Sequence, residues 1–524
     1  MNDKHERTLL ALQEIAVELI EATSDHNLLS LVVLRATQLL NCDGGSLFLR
    51  KGEDSLSFKV AVNQSVPVNY EKVTLPLSGT GLVCHVSNSG KSLRIDDVYD
   101  IPLDAPYQFN RSFDVESGYR TKSVLALPLS SSKGEPLGVI QLINRKNEVS
   151  EVWPSSNEKL IATMPKFTDA DESLLKSFAS IAAASIEKSN LYLSIQNLFE
   201  GFVHASVRAI ESRDPVTSGH SERVAALTVN LAEAANRSNS WVKLELSEDQ
   251  IKEVEYAALL HDFGKISVRE TTLLKAKKLF EEQFLGLENR FQRFRMAAEI
   301  LELRDFITQL TAANRAPNQM DLVRLEKGIA RKQQEILECW QQICQLNEPT
   351  VLDENKSHIL NELTHKTYPT ELGEPARVLE LQEVQALSII RGSLSKEERL
   401  EIENHVTSTF NFLNRIPWTS DLRQVPTIAH AHHEKLNGTG YPRKLTAENI
   451  PVQSRMMTIC DIYDALVAAD RPYKKAIPVE KALDILGMEV KSGALDPSLF
   501  QLFLEAKVYE DPKFLSLNRP KRAA

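Results

Sequence analysis

Two short stretches, AALLHDFGK at 257–265 and IAHAHHEKLNGTGYP at 428–442, decide the fold predicted for the second half of this chain. The first is an apolar run, typical of a helix, that ends in an adjacent histidine and aspartate. The second places adjacent histidines before a glycine-rich turn. The side chains of interest in the two stretches are His261, Asp262, His432 and His433.

Two further histidines and two aspartates occur in neighbouring helical patterns. His220 opens an apolar stretch, and His405 lies in a helix whose start has capping-box form. Asp461 and Asp464 share one helical face, because residues three apart are neighbours on a helix. Any one of these residues alone is best explained by packing or exposure, and His430 is interpreted as structural. Together the motifs predict a site for borderline divalent metals such as iron or manganese.

The predicted ligand set favours attack on a phosphate. An aspartate beside a histidine offers two oxygens and can bridge two metal ions. Two ions about 3.5–4 Å apart can activate a water molecule and hold the phosphate that it attacks. The sequence lacks the motifs of three other kinds of site. It has no H-E-x-x-H of a zincin, no Walker A phosphate-binding loop and no G-x-S-x-G of a hydrolase nucleophile elbow.

Length and charge limit the class of protein. At about 150 residues per domain, 524 residues predict three to four units. The net charge of −10 argues against broad binding to duplex nucleic acid. The five cysteines are too few and too scattered for a disulfide framework or a cysteine-rich zinc site. No apolar run reaches the roughly 18 residues of a membrane span and no signal-peptide pattern is present, so a cytoplasmic protein is expected.

The first 190 residues combine helix and strand patterns. Helical spacing of apolar residues covers Leu9–Ile20 and Leu28–Leu40. Five apolar stretches then predict strands, at Ser46–Arg50, Ser57–Val62, Ser92–Ile95, Ser123–Leu129 and Leu137–Ile143. The last two flank a turn and predict a hairpin. Helices, an antiparallel sheet and a further helix indicate an α+β domain.

A long helical pattern without proline begins at Asp169. Its apolar residues form an approximate stripe of Leu174, Phe178, Ile181, Leu191, Ile195, Leu198 and Phe202. Two interpretations stay open: a parallel coiled coil between two chains, or a helix packed on its own domain. Because the helix connects two domains, the sequence favours a homodimer.

Beyond Arg213 the sequence predicts helices and no strand. Residues 276–392 are interpreted as a helical insertion that contributes packing or an interface rather than chemistry, and that could cover the site as a lid. Its two amphipathic patterns and the turn between them are Phe284–Leu310, Leu322–Leu346 and Ala312–Asn318. His358 and His365 lie in a polar region and are expected at the surface.

HDFGK, HHEKLNGTGYP and the helix of Asp461 resemble the HD-GYP subgroup of the HD metal-dependent phosphohydrolases, over about residues 205–275 and 393–510. The resemblance implies an all-helical fold that hydrolyses cyclic di-GMP to linear pGpG, in some members onward to GMP. It also implies two divalent metal ions, iron or manganese, and a contact between the GYP loop and a diguanylate cyclase partner.

The family pattern also implies a role for each matching residue. The first metal would be held by His220, His261, Asp262 and Asp461. The second would be held by Asp262, His405, His432 and His433. Lys265 would act with Asp262 in catalysis, beside the scissile phosphate. Arg471 and Lys474 match the family's phosphate-binding pair, and Asp464 would support a ligand without touching a metal.

Two positions depart from the family pattern. Members with a third metal carry a glutamate where this chain has Val216, and valine cannot ligate a metal. A two-metal site is therefore predicted, and full conversion to GMP is not expected. The GYP loop has Asn437 in place of the usual aspartate, a change that keeps a turn former.

The N-terminal region resembles a GAF domain over roughly residues 28–190, through GYRTKSVLALPL, GEPLGVIQLINRK and FTDADE. It approximates the NKFDE signature of cyclic-nucleotide-binding GAF domains through Asn144, Phe167, Asp171 and Glu172. Arg145 stands where lysine is usual, and Lys146 follows it. In the family this signature supports the fold through an ion pair. A cyclic nucleotide is one hypothesis for the ligand; another small ligand, or a role in dimerisation alone, is the other.

The sequence thus predicts a multidomain signalling enzyme, in which an α+β GAF sensor domain precedes an all-α HD-type phosphohydrolase domain with a helical insertion. The expected segments are a GAF-like domain at 1–190, a connecting helix at 191–213, the HD-GYP domain at 214–275 and 393–524, and the insertion at 276–392. The expected activity is hydrolysis of cyclic di-GMP, regulated by the GAF domain. Two alternatives stay open: a hydrolase of another cyclic dinucleotide, such as a cyclic GMP-AMP, and a non-catalytic dinucleotide receptor or interaction protein.

Overall fold

The chain forms two compact units, Met1–Phe199 and Glu200–Ala524. The structure, a computed structural model, describes residues 2–22, 25–68, 73–148, 151, 153–154, 157–213, 219–238, 244–468 and 476–518.

The first unit is α+β, as predicted. Its strands are β1 (Cys42–Lys51), β2 (Ser55–Asn63), β3 (Thr74–Pro76), β4 (Leu93–Ile95), β5 (Val124–Ser130) and β6 (Pro136–Arg145). Its helices are α1 (Asn2–Glu21), α2 (Asp25–Leu39), α3 (Leu82–Ser89), α4 (Ser112–Ser117), α5 (Glu158–Thr163) and the first part of α6 (Asp169–Glu211). The strands form one antiparallel sheet in the order β3-β2-β1-β6-β5-β4. The predicted hairpin of β5 and β6 is confirmed, whereas the short β3 was missed.

Both faces of this sheet are buried, because successive side chains of a strand point to opposite faces. On one face, Leu47 and Ile140 pack in a core with α2 and α6. On the other face, Phe48 and Val139 pack with residues of α3. Two cores therefore share one sheet.

The helix α6 changes its surroundings along its length. Near its start, Leu175 and Phe178 are fully buried in the core of the first unit. Further along, the exposed fractions are 62% for Leu191, 57% for Ile195, 76% for Leu198 and 52% for Phe202. Packing on its own domain explains only the first part of the predicted stripe.

Among the described residues, the regular elements of the second unit are helices, apart from two short strands. Its helices after α6 are α7 (His220–Arg237), α8 (Glu248–Leu260), α9 (Glu270–Leu273), α10 (Glu281–Ala312), α11 (Gln319–Leu346), α12 (Glu354–His365), α13 (Leu381–Leu387), α14 (Lys396–Glu403), α15 (His405–Leu413), α16 (Val425–His430), α17 (Val452–Val467), α18 (Val479–Lys491), α19 (Pro497–Glu505) and α20 (Pro512–Leu517). Its strands are β7 (Thr367–Pro369) and β8 (Pro375–Arg377).

Helices α10 and α11 form an antiparallel hairpin. Its turn lies where the sequence predicted it, between Ala312 and Gln319. The hairpin packs on a core of its own, which includes Leu287, Phe291 and Ile343 together with residues of α12 and α13.

The prediction that the second half contains no strand is wrong. β7 and β8 pair in antiparallel fashion, with Tyr368 opposite Ala376. The turn between them is closed by a hydrogen bond from Thr370 N to Glu374 O at 2.8 Å, and Gly373 adopts a φ of 89° there. Strands of three residues show no alternation, and each of these contains a proline, which is unfavourable in strands.

Two ion pairs join the chain just before residues 276–392, the segment predicted to be an insertion, to the chain just after it. Lys275 Nζ lies 2.7 Å from Glu398 Oε1, and these side chains are only 3% and 12% exposed. Arg269 Nη2 lies 2.6 Å from Glu401 Oε2. Both glutamates belong to α14, which leads directly into His405.

Candidate metal centre

The structure brings the predicted metal ligands together from five places in the second unit. They are His220 at the first position of α7, His261 and Asp262 at the end of α8, His405 at the first position of α15, His432 and His433 just after α16, and Asp461 within α17. All except His433 are buried.

Asp262 lies between three of the histidines. Its Oδ1 is 3.1 Å from His405 Nε2, and its Oδ2 is 3.5 Å from His261 Nε2 and 3.9 Å from His220 Nε2. Asp461 Oδ1 is 3.1 Å from His220 Nε2. Three overlapping groups have ligand atoms within 4.8 Å of one another: His220, His261 and Asp262; His261, His432 and Asp461; and His405, His432 and His433.

Three of the histidines are oriented by the same hydrogen bond to the main chain. Nδ1 lies 2.7 Å from Ala258 O in His261, 2.5 Å from Ile402 O in His405 and 2.6 Å from Ala429 O in His432. Because a carbonyl oxygen only accepts, Nδ1 carries the proton and Nε2 keeps a lone pair. The buried Nε2 atoms of His261 and His432 have no hydrogen-bond partner among the described residues. Buried lone pairs aimed into a site fit a metal ion.

The charge states of His261, His432 and Asp262 also suit metal binding. Burial lowers the pKa of both His261 and His432, which keeps these ligands neutral. Burial acts to raise the pKa of Asp262, but Lys265 and the neighbouring histidines outweigh it and hold the pKa well below its usual range. Lys265 Nζ lies 2.7 Å from Asp262 Oδ2.

Asp464 orients the ring of His220 through its Nδ1 atom. Its Oδ2 accepts a hydrogen bond from His220 Nδ1 at 2.7 Å, and its Oδ1 accepts one from Arg223 Nε at 2.7 Å. All three side chains are buried. Arg223 was not predicted from the sequence, where its only signal is its position three residues after His220 on the same helix.

Gly264 allows the segment of Asp262 to approach α15. A Cβ atom at Gly264 would lie 1.9 Å from the carbonyl oxygen of His405. The Thr409 hydroxyl accepts a hydrogen bond from Gly264 N at 2.8 Å and donates one to His261 O at 3.0 Å. This contact holds the histidine-aspartate pair against His405. Thr409 was also missed, because a threonine within a helix carries no sequence signal.

The GYP loop, which contains Gly440, Tyr441 and Pro442, folds back toward the adjacent histidines His432 and His433. The Glu434 carboxylate accepts a hydrogen bond from Arg443 N at 2.7 Å, on the far side of the loop. A Cβ atom at Gly440 would lie 2.5 Å from Glu434 Cα, so only glycine fits there. The Tyr441 ring lies 4.7 Å, centroid to centroid, from the ring of His433. The loop therefore places an aromatic side chain at the edge of the site.

Three other histidines considered in the sequence, His358, His365 and His430, are not part of the ligand groups. His430 is buried, and its ring stacks on Phe410 with the centroids 4.3 Å apart, as expected of a structural residue. His358 and His365 are exposed, as predicted. Asn437 keeps its turn, since its Oδ1 accepts a hydrogen bond from Thr439 N at 3.1 Å.

Three positions of the sequence analysis lie outside the described residues. They are Arg471 and Lys474, the expected phosphate-binding pair, and Val216, which bears on the number of metals. These three expectations stay predictions.

Family models match most of the chain. A GAF domain model matches residues 26–186, one HD domain model matches 217–338, and a second HD domain model matches 319–499. The chain contains a GAF domain and an HD domain. The first HD match includes His220, His261 and Asp262, and the second includes the other four candidate ligands.

The chain is similar to several characterised proteins over short parts of their length. It is 37% identical to the 3'3'-cGAMP-specific phosphodiesterase 3 of Vibrio cholerae over 115 residues, which cover 22% of this chain and 24% of that protein. It is 36% identical to a cyclic di-GMP phosphodiesterase of Thermotoga maritima over 116 residues, which cover 22% of this chain and 30% of that protein. The GAF domain of a Coxiella burnetii phosphoenolpyruvate-protein phosphotransferase matches with 21% identity and a TM-score of 0.28, over 36% of this chain and 96% of that one.

The GAF domain has a partly open cavity of about 860 Å³ between the sheet and α3. Its wall is mainly apolar, with Phe48 and Phe58 on the strands. Among the described residues, the charged side chains that line it are Arg111 and Glu116. A volume of this order suits a small-molecule ligand.

The signature residues of the GAF domain form an ion pair outside this cavity. Arg145 Nε lies 2.9 Å from Asp171 Oδ2 and joins the end of β6 to the start of α6. Asn144 is fully buried and donates a hydrogen bond to Tyr119 Oη at 2.9 Å. Lys146 pairs instead with Asp43 at 3.2 Å. The arginine therefore occupies the place expected for the signature lysine.

In the described part of the chain, no helix combines the length and the apolar character that crossing a bilayer requires.

Proposed function

We propose that the HD domain is a metal-dependent phosphodiesterase that hydrolyses cyclic di-GMP to linear pGpG. The main support is the convergence of five histidines and two aspartates on one site, with the buried Nε2 lone pairs of three histidines aimed into it. A Thermotoga maritima relative is named as a cyclic di-GMP phosphodiesterase. The chain matches at most 30% of the length of either relative described above, so the activity of the whole protein is part of the proposal.

The donor set fits two divalent ions, iron or manganese. His220, His261, Asp262 and Asp461 would hold one ion, and Asp262, His405, His432 and His433 the other. When bound, the ions activate a water molecule and neutralise charge that develops on the attacked phosphate.

The protein's own groups orient the ligands and the phosphate. Asp464 and Arg223 fix the ring of His220, so its Nε2 faces the site. Lys265, already beside Asp262, stabilises negative charge on the phosphoryl oxygens. Arg471 and Lys474 bind the phosphates of the dinucleotide.

The activity can be tested on protein purified without oxygen and reconstituted with Fe²⁺ or Mn²⁺. We expect about two metal ions per chain by elemental analysis, and pGpG as the product by chromatography. His261→Ala should lose both, whereas the exposed His358→Ala should match the unmodified chain. Absence of conversion with either metal, with His261→Ala indistinguishable, would refute the proposal; three ions per chain would refute the argument from Val216.

A cyclic GMP-AMP is the second candidate substrate, because the Vibrio cholerae relative is named for 3'3'-cGAMP. Turnover of both dinucleotides by one preparation decides between them. Cyclic di-GMP should give the higher kcat/KM, and a higher value for the mixed dinucleotide would reverse the assignment. Tight binding of dinucleotide with no metal by elemental analysis would instead indicate a receptor.

Regulation is assigned to the GAF domain, through a small ligand such as a cyclic nucleotide in its cavity.

We further propose a homodimer through the exposed stripe of α6, and a diguanylate cyclase partner at the GYP loop. Leu198→Glu should weaken the dimer in sedimentation velocity, whereas Asn197→Glu, its exposed neighbour, should not. Equal effects of the two changes would contradict the α6 contact.

A further inference from the structure

Helix α10 carries two apolar stripes, and only one of them packs within the chain. The inner stripe, which includes Leu287, Phe291 and Phe294, is buried in the core of the insertion. The outer stripe consists of Met296, Ile300, Leu303, Ile307 and Leu310. Its spacing of four, three, four and three residues is the heptad spacing of a coiled coil.

The outer stripe is uncovered. Met296 is 63% exposed, Leu303 38% and Ile307 60%, while Ile300 and Leu310 are half-buried. Between Ala298 and Ile336, a stretch that the structure describes without a gap, no residue is buried. The outer half of the α10–α11 hairpin therefore has no core of its own, unlike its base.

The residue types in the outer stripe favour one kind of partner. With Met296, Leu303 and Leu310 at the d positions, Ile300 and Ile307 fall at the a positions. Isoleucine at a with leucine at d is the combination that favours parallel two-stranded coiled coils. The pattern thus indicates the same helix in a second copy of this chain.

The charges beside the stripe agree with a parallel pair. In this register Glu299 occupies a g position and Arg304 the e position five residues later. In a parallel coiled coil, a g residue faces the e residue of the next heptad on the partner. Each Glu299 would therefore meet the partner's Arg304, twice in a symmetric dimer. In an antiparallel pair the g positions face each other, so this match would be lost.

We infer that α10 pairs in parallel with α10 of a second copy through Met296, Ile300, Leu303, Ile307 and Leu310. The contact is short, and five side chains bury less than the roughly 800 Å² per partner of a standard interface. It forms in a concentration-dependent way, independently of metal binding and of the stripe on α6.

Disulfide trapping in the full chain tests the pairing. In a parallel coiled coil identical d positions lie side by side, so Met296→Cys should give a covalent dimer on mild oxidation. Thr308→Cys, exposed on the same helix but outside the stripe, should not. Adding Ile307→Glu to Met296→Cys should reduce the rate of cross-linking about tenfold or more, because it buries a charge at an a position. Adding Thr308→Glu should change it less than about twofold.

Three results would overturn the inference. The first is no cross-link from Met296→Cys. The second is equal cross-linking of the two cysteine variants, which would indicate random collision. The third is cross-linking only when Met296→Cys is combined with Ile307→Cys, which would indicate an antiparallel pair, because a d position then lies beside an a position of the partner. The unmodified chain is the baseline, since four of its five cysteines are buried and the fifth, Cys344, is partly so.

Discussion

Single hydrogen bonds determine which histidine nitrogen faces the site. Three ligands use a main-chain carbonyl three residues earlier in the sequence, so the helix itself sets their tautomer. His220 differs, because its Nδ1 meets the Asp464 carboxylate, which Arg223 holds in place. Its orientation therefore depends on a side chain and can be changed by one substitution.

Asp464→Asn should weaken metal binding by about tenfold to a hundredfold, because the amide no longer provides a charged acceptor for His220 Nδ1. Calorimetric titration of the metal-free protein measures this directly. The matched control is Asp484→Asn on the exposed side of α18, which should leave the affinity unchanged. Equal affinities for the two variants would show that Asp464 does not orient the ligand.

Gly264→Ala should destabilise the HD domain by about 1–3 kcal/mol and reduce its metal content, because the added methyl group would meet the His405 carbonyl. Denaturant unfolding and elemental analysis measure the two effects. Gly286→Ala in α10 is the control: its Cβ would meet nothing within 4 Å, so it should stabilise the helix slightly. Full metal content in Gly264→Ala would contradict the role of this close approach.

At the scale of elements, the connections between helices and strands depend on ion pairs as well as on apolar cores. In the GAF domain, Arg145 joins β6 to α6 through Asp171. In the HD domain, Lys275 pairs with Glu398 and so joins the segment before α10 to α14, just before α15. Each pair is partly or largely buried, so loss of one partner leaves the other charge poorly solvated.

Arg145→Met should lower the free energy of unfolding of the GAF domain by about 2 kcal/mol, because it removes an ion pair and a charged hydrogen bond to a largely buried aspartate. Arg145→Lys should retain most of the stability, since lysine is usual at this position of the signature. Denaturant unfolding of the two variants distinguishes the contribution of the positive charge at position 145 from that of the size of the side chain. Similar losses in both would mean that the shape of the arginine, rather than its charge, stabilises the contact.

Sequence reasoning was most successful where the chemistry is local. Metal-ligating residue types in short motifs identified the residues that meet at the site, and alternation of apolar residues located the long strands. It missed β7 and β8, which are too short for any period, although TELGEP between them is a turn signal. It missed Arg223 and Thr409, because their partners lie far away in sequence and become neighbours only after folding.

On the scale of the whole molecule, the two units have separate cores, and the predicted metal ligands all belong to the second. A chelator should therefore act on one of two unfolding transitions. When the free metal concentration is a hundred times the Kd, metal binding stabilises the HD domain by about 3 kcal/mol, and the chelator should remove this stabilisation. The unfolding temperature of the GAF domain should not change. Differential scanning calorimetry with and without chelator measures this.

The matched variant for that experiment is Leu175→Ala. Leu175 is fully buried in the GAF core, so its truncation should lower the free energy of unfolding of the GAF domain by about 2–5 kcal/mol. The unfolding transition of the HD domain should not change. If the chelator moved both transitions equally, the two domains would be unfolding as one cooperative unit.

The exposed turn at 313–318 lies between the two halves of the ligand set. His220, His261 and Asp262 precede it, and the other four candidate ligands follow it. A single proteolytic cut in this turn would therefore yield two fragments, neither of which contains a whole site. Because residues from both sides of the turn share the core of the insertion, the fragments should stay associated after the cut. Expressed as separate polypeptides, they would form a split enzyme, whose activity reports their reassembly.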